Sequence, residues 1–395
     1  MNKDHYDMVV IGAGIHGAGV AQAAAAAGYS VLVLEQSGVA SGTSSRSSKL
    51  IHGGLRYLES AQFSLVHESL KERSILLKIA PDLVSLVSFH IPVYDTTSRS
   101  RWKIRAGLSL YALLGGLGRD NRFRSIPSSS WGRLDDLQTK GLKAVFRYFD
   151  GQTDDAALTR AVLHSAQKLG AEFLCPARFI AATRVPGGYE LQVDQGESSS
   201  SCFASTLVNA AGPWINQVAA KITPIPRLQE VELAQGAHIV VSGTLTAGIY
   251  YLEAPQDGRA VFAMPWKGNT LIGTTETRYT GDPEAVEVLT KEVAYLQTVY
   301  QTYFPSHQLN VLDRFAGLRV LPAGPGSLFA RPRETVFVTD QASPVRLISL
   351  YGGKLTGYRA TAEKSVAQLR PALPNRSRLA DTATLLLDDQ GNKLL

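Results

Sequence analysis

The chain has 395 residues, 45% hydrophobic and 19% charged, which fits a globular protein of two or three domains and excludes disordered and fibrous classes. Forty Lys and Arg against 34 Asp and Glu leave a net charge of +6. That mild excess suits an acidic substrate, an anionic membrane surface or nucleic acid without choosing among them. Two cysteines, Cys175 and Cys202, rule out a disulfide framework and a four-cysteine zinc site, and the eight histidines show no metal-binding spacing, so no metal is expected.

The N-terminus passes at once into Tyr6-Asp-Met-Val-Val-Ile11, which reads as a strand and not as a signal peptide. No apolar run reaches the ~18 residues of a membrane span. The expected location is the cytoplasm, with contact to the inner face of the cell membrane left open. The strand over 8–11 meets Gly12-Ala-Gly14-Ile-His-Gly17, an Ala-rich helix is predicted over 18–27, and a second strand over 30–34 ends in Glu35. Strand, glycines, helix, strand and acid in that order form a dinucleotide fingerprint. Gly12 makes the tight turn, Gly14 lets the backbone approach a pyrophosphate, and Gly17 lets the helix pack. The helix N-terminus faces the phosphates, and Glu35 accepts from a ribose hydroxyl.

A polar stretch follows, Ser37 to Ser48, whose hydroxyls at Thr43, Ser44 and Ser48 suit a cofactor's diphosphate and ring edge. A helix is predicted over 64–79 and stopped by Pro81. From Arg99 to Arg124, Arg101, Lys103, Arg105, Arg119 and Arg122 alternate with Trp102, Ile104, Leu108, Tyr111 and Leu113. Such a stretch reads equally as a helix on an anionic membrane or as a solvated helix packed on its own domain. A helix over 153–169, an apolar strand over 206–212 running into a glycine turn, β-rich sequence over 222–281 and a helix over 286–303 come next. Two strands near 335–338 and 346–350 lead to Gly352-Gly353 and a last helix over 359–369. The N- and C-terminal parts read as one doubly wound dinucleotide domain, and the middle as a separate, mostly antiparallel sheet.

The second glycine turn, at Gly352-Gly353, points another helix N-terminus toward something anionic, in a flavin site the reduced ring near N1. Arg56, Arg319, Arg333 and Lys354 sit in turn or glycine contexts rather than on helical faces. Were they to converge, a dianionic substrate would be expected. His52 and His238 are both candidates for a general base.

Together these segments resemble the FAD-dependent glycerol-3-phosphate dehydrogenase family, with its related glycerophosphate oxidases. The carrying motifs are Val9-Val-Ile-Gly-Ala-Gly14, Ser47-Ser-Lys-Leu-Ile-His-Gly-Gly-Leu-Arg-Tyr-Leu-Glu59, Val208-Asn-Ala-Ala-Gly-Pro-Trp214, Gly236-Ala-His238, Ile272-Gly-Thr-Thr-Glu276, Gly317-Leu-Arg319 and Gly352-Gly-Lys-Leu-Thr-Gly-Tyr-Arg359. The resemblance implies non-covalent FAD and oxidation of sn-glycerol 3-phosphate to dihydroxyacetone phosphate. Hydride passes from C2 to flavin N5, and electrons go on to quinone or, in the oxidases, to oxygen. It places Gly12, Gly14, Gly17, Glu35, Thr43, Ser44, Ser48, Gly212, Gly353, Lys354, Leu355 and Thr356 on the cofactor. Arg56, Tyr57, Arg333 and Lys354 fall on the phosphate, and Arg319, His52 and His238 at the reacting carbon. It implies a Rossmann-type FAD-binding domain over 1–90, 145–215 and 330–395, and an α+β substrate domain over 91–144 and 216–329. Two departures stand out. Gly317-Leu-Arg-Val-Leu-Pro322 replaces the usual Gly-Val-Arg-Pro, and typical bacterial members continue into a C-terminal helical domain where this chain ends at Leu395. Two rival readings remain, a flavoenzyme acting on a 2-hydroxy or amino acid and a non-catalytic flavin-binding protein.

Overall fold

The computed structural model describes residues 1, 3–196, 198–324, 331 and 334–388. Its α-helices are α1 (Ile15–Ala26), α2 (Phe63–Ile79), α3 (Arg101–Leu114), α4 (Asp155–Lys168), α5 (Ile215–Ala219), α6 (Thr290–Tyr303) and α7 (Tyr358–Leu369). The strands form two sheets.

The first sheet is built on a parallel set in the order Glu172–Leu174, Val31–Leu34, His5–Ile11, Ser199–Asn209 and Leu347–Tyr351. Pleating sends alternate side chains to opposite faces. Met8 and Val10 enter a core with α1, α4 and α7, while Val9 and Ile11 pack with Phe179, Leu191 and Val193 of the hairpin Arg178–Val185 and Gly188–Asp194. Helix α1 is buried almost all round, which its run of Ala and Val allows, and lies against α4 and α7.

The second sheet is mostly antiparallel and runs from Thr277–Tyr279 through Val231–Val241, Asn269–Gly273, Ala260–Trp266, Ile249–Glu253, Val84–Tyr94 and Leu142–Thr153 to Leu50–Ile51. Val311–Pro322 pairs along the outside of Val231–Val241. On one face Ile239, Val241 and Ile272 pack on Leu296, Val299 and Tyr300 of α6. On the other, Phe89, Phe146, Tyr148 and Leu271 pack on Leu70 of α2 and Leu108 and Tyr111 of α3.

Two expectations shift here. Val84–Tyr94 and Leu142–Thr153 pair with each other inside the second sheet, so the borders expected at 90/91 and 144/145 cut through its strands. Their long apolar runs carried no turn signal to mark them as one hairpin-like ladder. The basic stretch is α-helical over Arg101–Leu114, where Ser100 caps the start and Gly115 follows the end, with a short 3-10 turn at Arg119–Asn121. Arg124–Ile126 then adds a strand to Leu142–Thr153. No helix among the described residues is long and apolar enough to cross a membrane.

The parallel strands end together at Ile11, Leu34, Asn209 and Tyr351, and the loops leaving them open onto a cleft roofed by the second sheet. Ligands of open α/β sheets sit at this carboxyl edge.

Candidate active site

The cleft holds about 710 Å³ and runs from Glu35 at one end to Arg319 and Tyr251 at the other. Its first wall is backbone. Gly12 turns with φ +101°, and a Cβ there would meet the Ala210 carbonyl oxygen at 2.8 Å. A Cβ on Gly17 would stand 1.9 Å from the Gly12 carbonyl oxygen, so only glycine lets the first turn of α1 close over the strand end. The Glu35 carboxylate accepts from the Ala13 N–H at 2.8 Å and the Ser37 N–H at 2.9 Å, which fixes it beside the same turn. The positive end of α1 faces into this groove.

Three distant segments are tied together next. Ser44 Oγ accepts from the Ile15 N–H at 2.9 Å, and the Thr43 hydroxyl donates to the Leu318 carbonyl at 2.7 Å. Both hydroxyls therefore stitch the groove walls. Thr356 Oγ1 accepts from the His52 N–H at 3.1 Å, joining the glycine turn at 352–353 to the segment carrying His52 and Arg56. Gly353 takes φ +102°, and any Cβ would strike the His16 ring at 2.1 Å. Burial pulls the His16 pKa down to about 4, so this ring is neutral near pH 7.

Side chains make the far wall. Lys354 Nζ stands 3.9 Å above the Tyr57 ring, and the Arg56 guanidinium lies 5.0 Å from the same ring. Arg319 donates to Thr274 Oγ1 at 3.1 Å and lies 3.5 Å from Glu276, which also pairs with Arg259 at 3.3 Å. Burial lowers the Arg319 pKa from its ordinary value; Glu276 opposes that, and Arg56 and Arg259 add to it. The far end thus gathers Arg56, Arg259, Arg319 and Lys354 around Glu276, a place that favours a multiply charged anion.

His238 is buried, and its Nε2 meets Ser48 Oγ at 3.0 Å while its ring stacks on Phe315. Its Nδ1 is buried without a hydrogen-bond partner among the described residues. Burial first, then Arg319 and Lys49, holds its pKa well below the usual value, so the imidazole is neutral. His52 lines the same cleft with more access to it.

Gly12, Gly14, Glu35, Thr43, Ser44, Ser48, His52, Arg56, Tyr57, Gly212, His238, Arg319, Gly353, Lys354, Leu355 and Thr356 all line this one cleft. Gly17 lies one turn behind it, and Arg333 lies outside the described residues. No cluster of metal-ligating side chains occurs among the described residues.

Several residues to which the sequence assigns no role also shape the site. Arg259, Glu276 and Thr274 line the far wall. Beneath the polar loop, Lys49 makes a buried ion pair with Asp155 at 2.6 Å, and the other Asp155 oxygen accepts from the Ser47 N–H and hydroxyl. Lys49 also lies over the rings of Trp266 and Phe315. Thr274, Glu276 and Lys49 lie inside motifs of the resemblance, but no motif names their partners; Lys49 and Asp155 are about a hundred residues apart.

A backbone groove at the carboxyl edge of a parallel sheet, opening into a polar hollow under an antiparallel one, is the architecture of a flavin-dependent oxidoreductase. The residues fit FAD: the glycine turns leave no Cβ where a diphosphate would approach, and the groove continues past Thr356 to the buried His238. A family model described as FAD dependent oxidoreductase matches residues 7–359. The chain is 38% identical over 374 residues to the aerobic glycerol-3-phosphate dehydrogenase of Escherichia coli K12, covering 92% of this chain and 73% of that one. It is 37% identical over 378 residues to the D-erythritol 1-phosphate dehydrogenase of Brucella abortus, covering 93% and 74%. A solved structure of glycerol-3-phosphate dehydrogenase from Bacillus halodurans, complexed with FAD, superposes with a TM-score of 0.75 at 28% identity, over 98% of this chain and 68% of that one. The chain belongs to the FAD-dependent oxidoreductase family, on its glycerol-3-phosphate dehydrogenase branch, and FAD is its cofactor.

Proposed function

We propose that the chain oxidises sn-glycerol 3-phosphate, or a close polyol phosphate, at a secondary hydroxyl to give the ketone, dihydroxyacetone phosphate for glycerol 3-phosphate. The observation that carries this reading is the convergence of Arg56, Arg259, Arg319 and Lys354 on one end of the flavin cleft. Arg259 and Arg319 share the single carboxylate of Glu276, and the net positive field that results suits a dianionic phosphate better than a monoanionic 2-hydroxy or amino acid; a flavin protein without turnover would not need it. The Brucella abortus relative favours a second reading within the same chemistry, a four-carbon polyol phosphate.

FAD, when bound, would supply a two-electron acceptor for the hydride from C2, with quinone or another compound as the onward acceptor. Gly12, Gly14 and the start of α1 would hold its diphosphate, with Gly17 behind them letting α1 pack close to the turn, Glu35 would hold its ribose, Gly212 would form the groove wall, and residues 353–356 would meet its ring edge. Arg56, Tyr57 and Lys354 would hold the substrate phosphate, with Arg333 added by the resemblance. Arg319 would donate to the reacting oxygen and stabilise the charge that grows there as its proton leaves. His52 would take that proton, because it has access to the cleft; His238, neutral and enclosed, would donate or accept a hydrogen bond without changing charge.

The same reading gives α3 a role outside the cleft. Leu108, Tyr111 and Ala112 face inward, while Trp102 is 66% and Leu113 60% exposed beside Arg101, Lys103 and Arg105. That face suits a peripheral contact with anionic lipid, where a quinone would be met.

The test compares substrates. Anaerobic holoenzyme is mixed with glycerol 3-phosphate, D-erythritol 1-phosphate, glycerol, lactate and glycine in turn, and the oxidised flavin band is followed. Bleaching by a phosphorylated polyol and by no unphosphorylated compound is the expected result. Bleaching by lactate or glycine alone would overturn the reading.

A further inference from the structure

Arg319 reaches the cleft only because several residues remote from substrate shape its path. It sits on Val311–Pro322, which pairs with Val231–Val241, so its side chain crosses the backbone of that neighbour. At the crossing point stands Gly236, where a Cβ would come 2.6 Å from Arg319 Nη2 and from Thr274 Oγ1. The bare backbone lets the guanidinium lie flat. Thr274 then accepts from one side of the fork, and Glu276, with 3% of its side chain exposed, lies beside the other. Glu276 is in turn flanked by Arg259, which also donates to its main-chain carbonyl at 3.4 Å.

The segment holding Thr274 and Glu276 has its own anchor outside the cleft. The buried carboxylate of Glu292, in the first turn of α6, accepts from Thr275 Oγ1 at 2.7 Å, Thr277 Oγ1 at 2.9 Å, Gln235 Nε2 at 2.6 Å and the Leu289 N–H at 3.1 Å. Thr275 Oγ1 also accepts from the Ala237 N–H at 2.8 Å. One carboxylate thereby locks the residues on both sides of Glu276 to the strand that carries Gly236. A free arginine side chain samples many rotamers, and this arrangement restricts them before substrate arrives.

We propose that Glu276 is a positioning residue that fixes Arg319 over the substrate oxygen, and that Glu292 seats Glu276 for that task. The inference rests on the polyol-phosphate reading above and deepens it. Neither residue exchanges a proton or touches the phosphate.

The test is a double-mutant cycle on holoenzyme with Glu276→Gln, Arg319→Ala and the pair together, read as the rate of anaerobic flavin reduction by glycerol 3-phosphate. Glu276→Gln should slow reduction by about 10²-fold, as ångström-scale misplacement of a catalytic group does, and Arg319→Ala by about 10²- to 10³-fold, as loss of the donor itself does. The pair should be no slower than Arg319→Ala alone, because Glu276 acts through Arg319. FAD content, and competitive inhibition by inorganic phosphate, should stay within about two-fold of wild type, an effect too small to be a lost contact. Glu292→Gln should give a smaller loss of the same kind. A cycle whose losses multiply, or a Glu276→Gln enzyme that weakens phosphate inhibition as much as it slows reduction, overturns the proposal. If Glu276→Gln yields no yellow protein, Thr274→Val replaces it in the same cycle with the same criterion. The substrate reading fails separately: wild type reduced by D-erythritol 1-phosphate and not by glycerol 3-phosphate moves the substrate, and the cycle is then read with that compound. Reduction by neither overturns both.

Discussion

The two ends of the cleft are built on opposite principles. At the nucleotide end, residues 5 to 35 form one βαβ unit, and what matters is backbone: where a Cβ is missing and where N–H groups point. At the substrate end, Arg56, Arg259, Arg319 and Lys354 arrive from four separate segments, and what matters is where long side chains are held. The first end is stiff by steric exclusion. The second is ordered by a network of charge-assisted hydrogen bonds, which can be weakened one contact at a time.

The sharpest way to break that contrast is Gly17→Ala. Its methyl would stand 1.9 Å from the Gly12 carbonyl oxygen, so the nucleotide end should fail outright. The purified protein should carry no flavin, read as visible absorbance against protein absorbance. A yellow Gly17→Ala protein would remove steric exclusion as the principle of that end.

A large effect on stability is expected between the two ends. Asp155→Asn leaves buried Lys49 without its carboxylate and should cost about 3–5 kcal/mol in chemical denaturation. Replacing both partners, as Lys49→Met with Asp155→Leu, should recover much of that. Equal losses in the single and double variants would mean that the pair holds the Ser47 loop by shape alone.

At the substrate end, Lys354→Ala should raise KM about 10-fold to 10²-fold, the range expected for a charge-assisted contact, with a smaller change in kcat. A fall in kcat at constant KM would move Lys354 from substrate to flavin.

The smallest effect is a pH slope shared by both ends. His16 and His238 have folded pKa values below the ordinary histidine value, His16 at about 4. The unfolded chain therefore binds more protons below about pH 6.5, and stability should rise with pH through that window and fall on acidification. Thermal midpoints measured from pH 7 to pH 5 should decline, and His16→Asn or His238→Asn should flatten the decline. An unchanged slope in both variants would show that other groups set it.

The contrast also explains what could be read from the sequence. The nucleotide end was legible because its parts are local: Gly12, Gly14, Gly17 and Glu35 lie within one supersecondary unit, and the spacing is the geometry. The parallel sheet, the antiparallel second sheet and α1, α2, α4, α6 and α7 followed from periodicity and punctuation. The ladder of Val84–Tyr94 with Leu142–Thr153 did not, since the pairing spans α3, the short strand Arg124–Ile126 and the turns around it. At the substrate end, individual cations in glycine contexts were visible, and so was their motif resemblance. The Glu276 bridge between Arg259 and Arg319 was not, because a carboxylate's partner is set by tertiary register and not by spacing. Thr43 and Ser44 line the cleft as their place in the polar stretch suggests, and the sequence does not show that Thr43 also donates to the Leu318 carbonyl or that Ser44 accepts from the Ile15 N–H, because those partners are set by the tertiary fold.

The central claim is that one end holds the flavin and the other presents substrate to it. The direct measurement is anaerobic reduction of wild type and Arg319→Ala by glycerol 3-phosphate, recorded on the same instrument at equal flavin content. Wild type should bleach, and Arg319→Ala should remain yellow with its flavin bound, slowed by about 10²- to 10³-fold as for the loss of one oxyanion donor. An Arg319→Ala enzyme that bleaches at the wild-type rate, or that loses its flavin, would contradict the division of labour between the two ends.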